Sequence, residues 1–167
     1  MTKLKVAIIG GGPAGLTAAY YSSGEIHIFD KNNDVGKKLL LTGNGKCNYF
    51  NKNQNIKYYH SYNQELLKNI ITKENIRKVF DFTKSIGIIP KYKNNYCYPF
   101  SGRASSVKES LKKSCLNKGV IFRMNEEVVK IDFVNDKFYV NNEVFDKLIV
   151  ATGAKSFPKT GSTGDGF

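Results

Sequence analysis

Three glycines and one acid near the start of the chain have the types and spacing to do chemistry. Gly10, Gly12 and Gly15 form a GxGxxG pattern, with Pro13 and Ala14 between the last two, and Asp30 lies twenty residues past Gly10. Each position has a physical task. Gly10 permits a tight turn after a strand. Gly12 carries no side chain, so a diphosphate can approach the backbone. Gly15 lets a helix pack close to the strand, helped by the small Ala14, Ala18 and Ala19. The helix then offers N–H groups and a positive dipole end to the phosphates, and Asp30 is placed to accept hydrogen bonds from a ribose.

These residues work only if particular elements position them. Residues 4–9 (LKVAII) are a nearly continuous apolar run, as expected of a strand buried on both faces of a parallel sheet. Residues 16–21 read as a helix with Pro13 in its first turn, where its missing N–H is not needed. Residues 25–30 (EIHIFD) read as a second strand ending in the acid. This is a βαβ opening. Residues 34–55 read as a long loop with one helical turn near 37–41. Helices are expected over 64–71, 74–85 and 104–117, and a hairpin with strands 88–92 and 96–100 about Lys93-Asn94-Asn95. Short strands at 120–124, 127–133, 137–140 and 143–145 form a meander, and 147–151 (KLIVA) is another buried strand. The fold class expected is α/β: a three-layer Rossmann-like FAD/NAD(P)-binding domain with a β-meander crossover.

Two features favour a flavin dinucleotide over a nicotinamide one. Gly36-Lys37-Lys38 and Gly43-Asn44-Gly45-Lys46-Cys47-Asn48 form a basic, Gly/Asn-rich loop that can surround a diphosphate with N–H donors and positive charge. A meander then precedes Ala151-Thr152-Gly153, where a simple nicotinamide-binding domain would continue with βα units. An NAD-binding dehydrogenase fragment stays open as an alternative, as does a non-catalytic chain, either a degenerate remnant or a basic binding module.

Composition excludes other classes. The net charge is +12, but only Arg77, Arg103 and Arg123 of the 26 basic residues are arginines, and the lysines are scattered. A nucleic-acid surface clusters its charge and uses arginine for bidentate contacts, so no specific nucleic-acid partner is expected. No apolar run approaches the ~20 residues needed to span a bilayer, and the first residues lack a signal-peptide layout. Cys47, Cys97 and Cys115 are widely spaced and form no CxxC. No metal site is expected, and the pattern suits a reducing cytoplasm. Cys47 reads as a small loop residue, His27 as a satisfied, partly buried strand residue, and His60 as a surface residue among tyrosines. No catalytic acid, base or nucleophile can be named, as expected where a flavin does the chemistry.

The segments GGGPAGLTAA (10–19), GKKLLLTGNGKCN (36–48), YPFSGRAS (98–105) and ATGAKSFPKTGSTGDG (151–166) resemble one family of FAD-dependent oxidoreductases. It is the aminoacetone oxidase-like family, which also includes bile-acid dehydro-reductase-like flavoproteins. The resemblance implies FAD as cofactor, NAD(P)H or oxygen as redox partner, and a small-molecule substrate. It implies that Ala14 and its flanking glycines hold the diphosphate, that Asp30 binds the adenosine ribose, and that Lys31 lies beside it. Lys37, Lys38 and Gly43 to Asn48 would run along the diphosphate toward the flavin ring. The backbone of Val128 would meet the adenine. Ala151, Thr152 and Gly153 would pass under the cofactor, and 160–166 would turn toward the flavin or substrate side. Departures from the family pattern include Asp30 for the usual Glu, Lys46 for Arg and Ala154 for Gly. Family members are much longer. Residues 1–167 then correspond to the N-terminal portion of an FAD-binding domain, with about 51–119 inserted in it. The substrate-facing domain and a returning C-terminal segment would lie outside, and this chain alone looks too short to be active.

Overall fold

The computed structural model describes residues 3–156, 158–161, 163, 164 and 166. Its centre is a four-stranded, wholly parallel sheet built from β1 (Lys5–Ile9), β2 (Glu25–Asp30), β6 (Ile121–Met124) and β10 (Lys147–Val150), in the order β10-β1-β2-β6. Alternation along β1 sorts its side chains. Val6 and Ile8 face a core made with Leu16 and Ala19 of α1 (Pro13–Tyr21) and with Val107, Leu111 and Cys115 of α4 (Ala104–Asn117). Ala7 and Ile9 face a second core with Phe29, Val140 and Phe145. A strand apolar on both faces is therefore sandwiched, which is why 4–9 reads as a run rather than an alternation. Each buried Ile, Leu or Phe contributes roughly 1.5–3 kcal/mol of transfer free energy.

The third layer is the meander β7 (Ile131–Val134), β8 (Lys137–Val140) and β9 (Glu143–Phe145), antiparallel throughout. Its tight turns carry positive φ at Asn135 and Asp136 and at Asn141 and Asn142, the left-handed pair that two-residue hairpins require. Helices, sheet and meander make the three layers expected from the sequence.

Between β2 and α4 the chain forms the two-residue strand β3 (Phe50–Asn51), helices α2 (Gln64–Ile70) and α3 (Lys73–Ser85), and the hairpin β4 (Pro90–Lys93) and β5 (Tyr96–Pro99). Asn63 and Thr72 cap α2 and α3 by accepting from Leu66 N and Asn75 N.

Some expectations need correction. Strand 147–151 is an edge strand, with Val150 52% exposed, because β1 is its neighbour on one side only. The strand expected at 127–133 begins at Ile131, and 126–130 crosses the sheet end unpaired in any ladder. The hairpin turn is Asn94-Asn95 alone, since Lys93 pairs with Tyr96. Residues 88 and 89 lie outside the ladder, Ile88 being buried in the main core.

Candidate functional site

The three glycines are fixed by three different neighbours. Gly10 follows β1 at φ +107°, donates its N–H to Phe29 O at 2.7 Å, and lies where a Cβ would stand 2.5 Å from the Ala151 carbonyl oxygen. A Cβ on Gly15 would stand 1.9 Å from the Gly10 carbonyl oxygen, so only glycine lets α1 seat on the turn. A Cβ on Gly12 would meet nothing within 4 Å. Gly12 is the N-cap of α1 and has no side chain to bond the first amides. Pro13 opens the helix, and no acid occupies its first turn. The amides that begin α1 are left to a ligand or to solvent.

Asp30 closes onto this elbow. Its Oδ2 accepts from Gly11 N at 2.8 Å, and its Oδ1 accepts from Asn32 N at 2.9 Å and from Asn32 Nδ2 at 2.8 Å. A carboxylate has roughly four acceptor positions. The remaining one, on Oδ2, belongs to a side chain that lines the cleft.

The cleft measures about 660 Å³, within the range of small-molecule and cofactor sites. Ile9, Phe29 and Val150 give it apolar surface, and Ala151, Thr152 and Gly153 continue the lining past the end of β10. On one side stands the arm Gly36-Lys37-Lys38. Its Gly36 N–H donates to Gly11 O at 2.9 Å. The other side is Glu126, Glu127, Val128 and Ile131, where Glu126 N donates to Asp30 O at 3.0 Å. The lining thus carries both signs of charge, Lys31, Lys37 and Lys38 with Asp30, Glu126 and Glu127. Lys31 Nζ lies 3.8 Å from Glu127 Oε1 and donates to Thr163 Oγ1 at 3.0 Å. Lys38 Nζ donates to Ser156 Oγ at 3.2 Å.

Of the residues singled out from the sequence, Gly10, Gly12, Pro13, Ala14, Asp30, Lys31, Lys37, Lys38, Val128, Ala151, Thr152 and Gly153 all line this one cleft. Gly15 lies beneath it. Gly43, Asn44, Gly45, Lys46, Cys47 and Asn48 do not line it. Positive φ at Gly43, Asn44, Gly45 and Cys47 coils that stretch into successive turns. Its backbone bonds lie within the loop and to the start of α4, from Cys47 N to Thr42 O at 2.9 Å and from Ala104 N to Gly45 O at 2.8 Å. The Cys47 side chain is 1% exposed in the main core, and burial pushes its thiol pKa up, which fits a packing residue rather than a redox one. Of the 160–166 stretch, Thr160, Gly161 and Gly166 line the cleft, while 162 and 165 lie outside the described residues.

Sequence reasoning missed Asn32, Glu126, Glu127 and Ile131. A signal existed for the acids, since Glu126-Glu127 is the chain's one adjacent acidic pair. His27 is buried, not partly buried, and only half satisfied. Its Nε2 lies 2.7 Å from Glu25 Oε1, while Nδ1 has no partner beneath Phe145. Among the described residues, no group of three or more His, Cys, Asp or Glu stands where it could hold a metal ion. No helix there is long and apolar enough to cross a membrane.

The chain is 30% identical over 172 residues to the 3-dehydro-bile acid delta(4,6)-reductase of Clostridium scindens, covering 98% of this chain and 42% of that protein. It is 28% identical over 171 residues to a ribosomal RNA dihydrouridine synthase of Haemophilus influenzae, covering 96% and 43%. The chain therefore spans about two-fifths of the length of these curated relatives. Among solved structures, the 3-ketosteroid-delta4-(5alpha)-dehydrogenase of Rhodococcus jostii RHA1 superposes with a TM-score of 0.66 at 10% identity, covering 92% of this chain and 46% of that one. THI4 of Thermovibrio ammonificans gives 0.58 at 17% identity, covering 98% and 63%. At these identities the structures attest the fold alone. The model of the HI0933-like protein Rossmann domain matches residues 4–167, and the chain belongs to that family.

Proposed function

We propose that the cleft holds FAD and that these residues are the cofactor-binding part of a flavin-dependent oxidoreductase. The observation that carries this reading is the pairing of an uncapped helix start at Gly12 with an acid tied to the same turn. On this reading the amides opening α1, with Lys37 and Lys38, take the diphosphate. Asp30 takes the adenosine ribose, the Val128 segment takes the adenine, and Ala151, Thr152 and Gly153 run under the cofactor toward its flavin end. Bound FAD would carry hydride between donor and substrate. The protein's share is to place the cofactor and to match its charge.

The two curated names share a reaction type, the saturation of a carbon–carbon double bond. That is a two-electron reduction, so it needs a reductant, and NAD(P)H is the class we propose for it. We place the chain in the aminoacetone oxidase-like and bile-acid dehydro-reductase-like group, with a small molecule as substrate. The four motifs and the 30% identity to the Clostridium protein support this. Three free cysteines support a cytoplasmic setting. Residues 1–167 then act as the N-terminal portion of the FAD-binding domain, with the 51–119 segment inserted in it. Turnover would use the further length that the curated relatives have.

The test is reconstitution. The chain is incubated with FAD, desalted, and examined for a perturbed flavin absorption band and a rise in melting temperature, with NAD in parallel. Retained FAD and no NAD effect are expected. A shift with NAD alone would move the assignment to a nicotinamide-binding dehydrogenase, and no effect of either would leave only a shared fold.

A further inference from the structure

The elbow is held on its outer side by a relay that begins on α4. Lys108 Nζ donates to Asp34 Oδ2 at 2.6 Å, and Lys112 Nζ donates to Asp34 Oδ1 at 2.7 Å. Lys108 also pairs with Glu109 at 3.2 Å, and its side chain is only 12% exposed. Asp34 Oδ1 additionally accepts from Val35 N at 2.9 Å. Val35 is fully buried, and a Cβ on Gly11 would stand 2.7 Å from its Cγ1. The stem of Lys108 packs on Gly36, where a Cβ would stand 2.9 Å from the lysine Cγ. Gly36, at φ +69°, then gives its N–H to Gly11 O at 2.9 Å.

Gly11 is thus gripped twice, at its N–H by Asp30 and at its carbonyl by Gly36. The peptide joining Gly11 to Gly12 is trans. Its N–H therefore points opposite to its carbonyl. Holding the Gly11 carbonyl against Gly36 turns the Gly12 N–H away from the arm.

We propose that Asp34 is a positioning residue for the diphosphate site, fixing the Gly36–Lys38 arm, and through it the Gly12 amide, from a clamp between Lys108 and Lys112. The proposal rests on the dinucleotide reading of the cleft. It makes a prediction opposite to that of simple electrostatics. If Asp34 were only a counter-ion, neutralising it would strip Lys112 of this partner, leave Lys108 with Glu109 alone, and so strengthen attraction for an anion. If it positions the arm, neutralising it weakens diphosphate binding while leaving ligands without phosphate unaffected.

The experiment compares ADP and adenosine binding to the wild-type chain and to Asp34→Asn, by NMR titration. Asp34→Ser is used in its place should the first variant fail to fold. The expected result is ADP affinity reduced by about fivefold or more, the scale of losing well-formed charge-assisted contacts, with adenosine affinity unchanged within about twofold. Unchanged or tighter ADP binding in the variant overturns the proposal, and so does an equal loss of both ligands, which would mark general destabilisation. Wild-type chain that binds no ADP sinks the dinucleotide reading itself. Wild-type chain that binds ADP, with a variant that binds it equally well, sinks only the role of Asp34.

Discussion

The Asp30 carboxylate and the Gly11 amide are joined by a 2.8 Å hydrogen bond that ties the end of β2 to the turn after β1. One side chain therefore sets the shape of the glycine turn and lines the cleft, where on the proposed reading a ribose would lie. Asp30→Ala removes both roles and strands the Gly11 N–H, which costs about 1–3 kcal/mol where no water replaces the acceptor. Chemical denaturation should show a loss of that order, with FAD binding falling further than stability alone explains. Unchanged stability with weakened binding would assign the acid to the ligand alone.

The glycines should separate folding from binding. Gly12→Val places its side chain in open space at an ordinary φ of −73°. The melting temperature of the free chain should stay within a few degrees, while dinucleotide binding is abolished. Gly15→Ala drives a methyl into the Gly10 carbonyl oxygen and should cost about 3 kcal/mol or more. Melting curves of the two variants check the contrast, and equal destabilisation would contradict it.

Stability should depend on pH through the α4 clamp. Lys108 and Lys112 hold the Asp34 carboxyl well below the usual carboxylate range, and Asp34 holds Lys108 above its ordinary value. A depressed acid contributes stability above its unfolded pKa of about 3.9, and that contribution is lost as pH falls through the folded value. The raised lysine contributes below its unfolded pKa of about 10.4 and loses its share as pH rises through the folded value. The melting-temperature gap between wild type and Asp34→Asn should thus be widest near neutral pH and shrink toward both extremes. A gap constant across pH would place the effect in packing instead.

His27 offers a stabilising change. Its Nδ1 is buried without a partner among Phe29 and Phe145, and its one bond reaches the half-exposed Glu25. His27→Leu removes the stranded nitrogen and should raise stability by about 1 kcal/mol. A marked loss in denaturant titration would show the Glu25 contact to matter more.

The legible parts of the site were those whose residue types have one physical use. Gly10, Gly12 and Gly15 at that spacing after an apolar run, with an acid ending the next strand, leave little choice of local structure. The meander was legible from short strands separated by Asn and Asp turns. The 43–48 loop was not, because its residue types tell that the chain turns but not toward which side. Four left-handed residues coil it into successive turns that leave 43–46 exposed and bury only Cys47 in the main core. β3 has two residues, too few to show a period. Asn32 binds Asp30 over a two-residue separation, a contact any Asx residue can make, so its place in the cleft left no trace in the pattern. The edge position of β10 depends on sheet order, which its apolar run does not encode.

The most direct test is a calorimetric titration of FAD into the chain and into Gly12→Val under the same conditions. The account predicts saturable one-site binding for the wild type and none for the variant, with both proteins folded by circular dichroism. Equal binding by the two, or none by either, would contradict it.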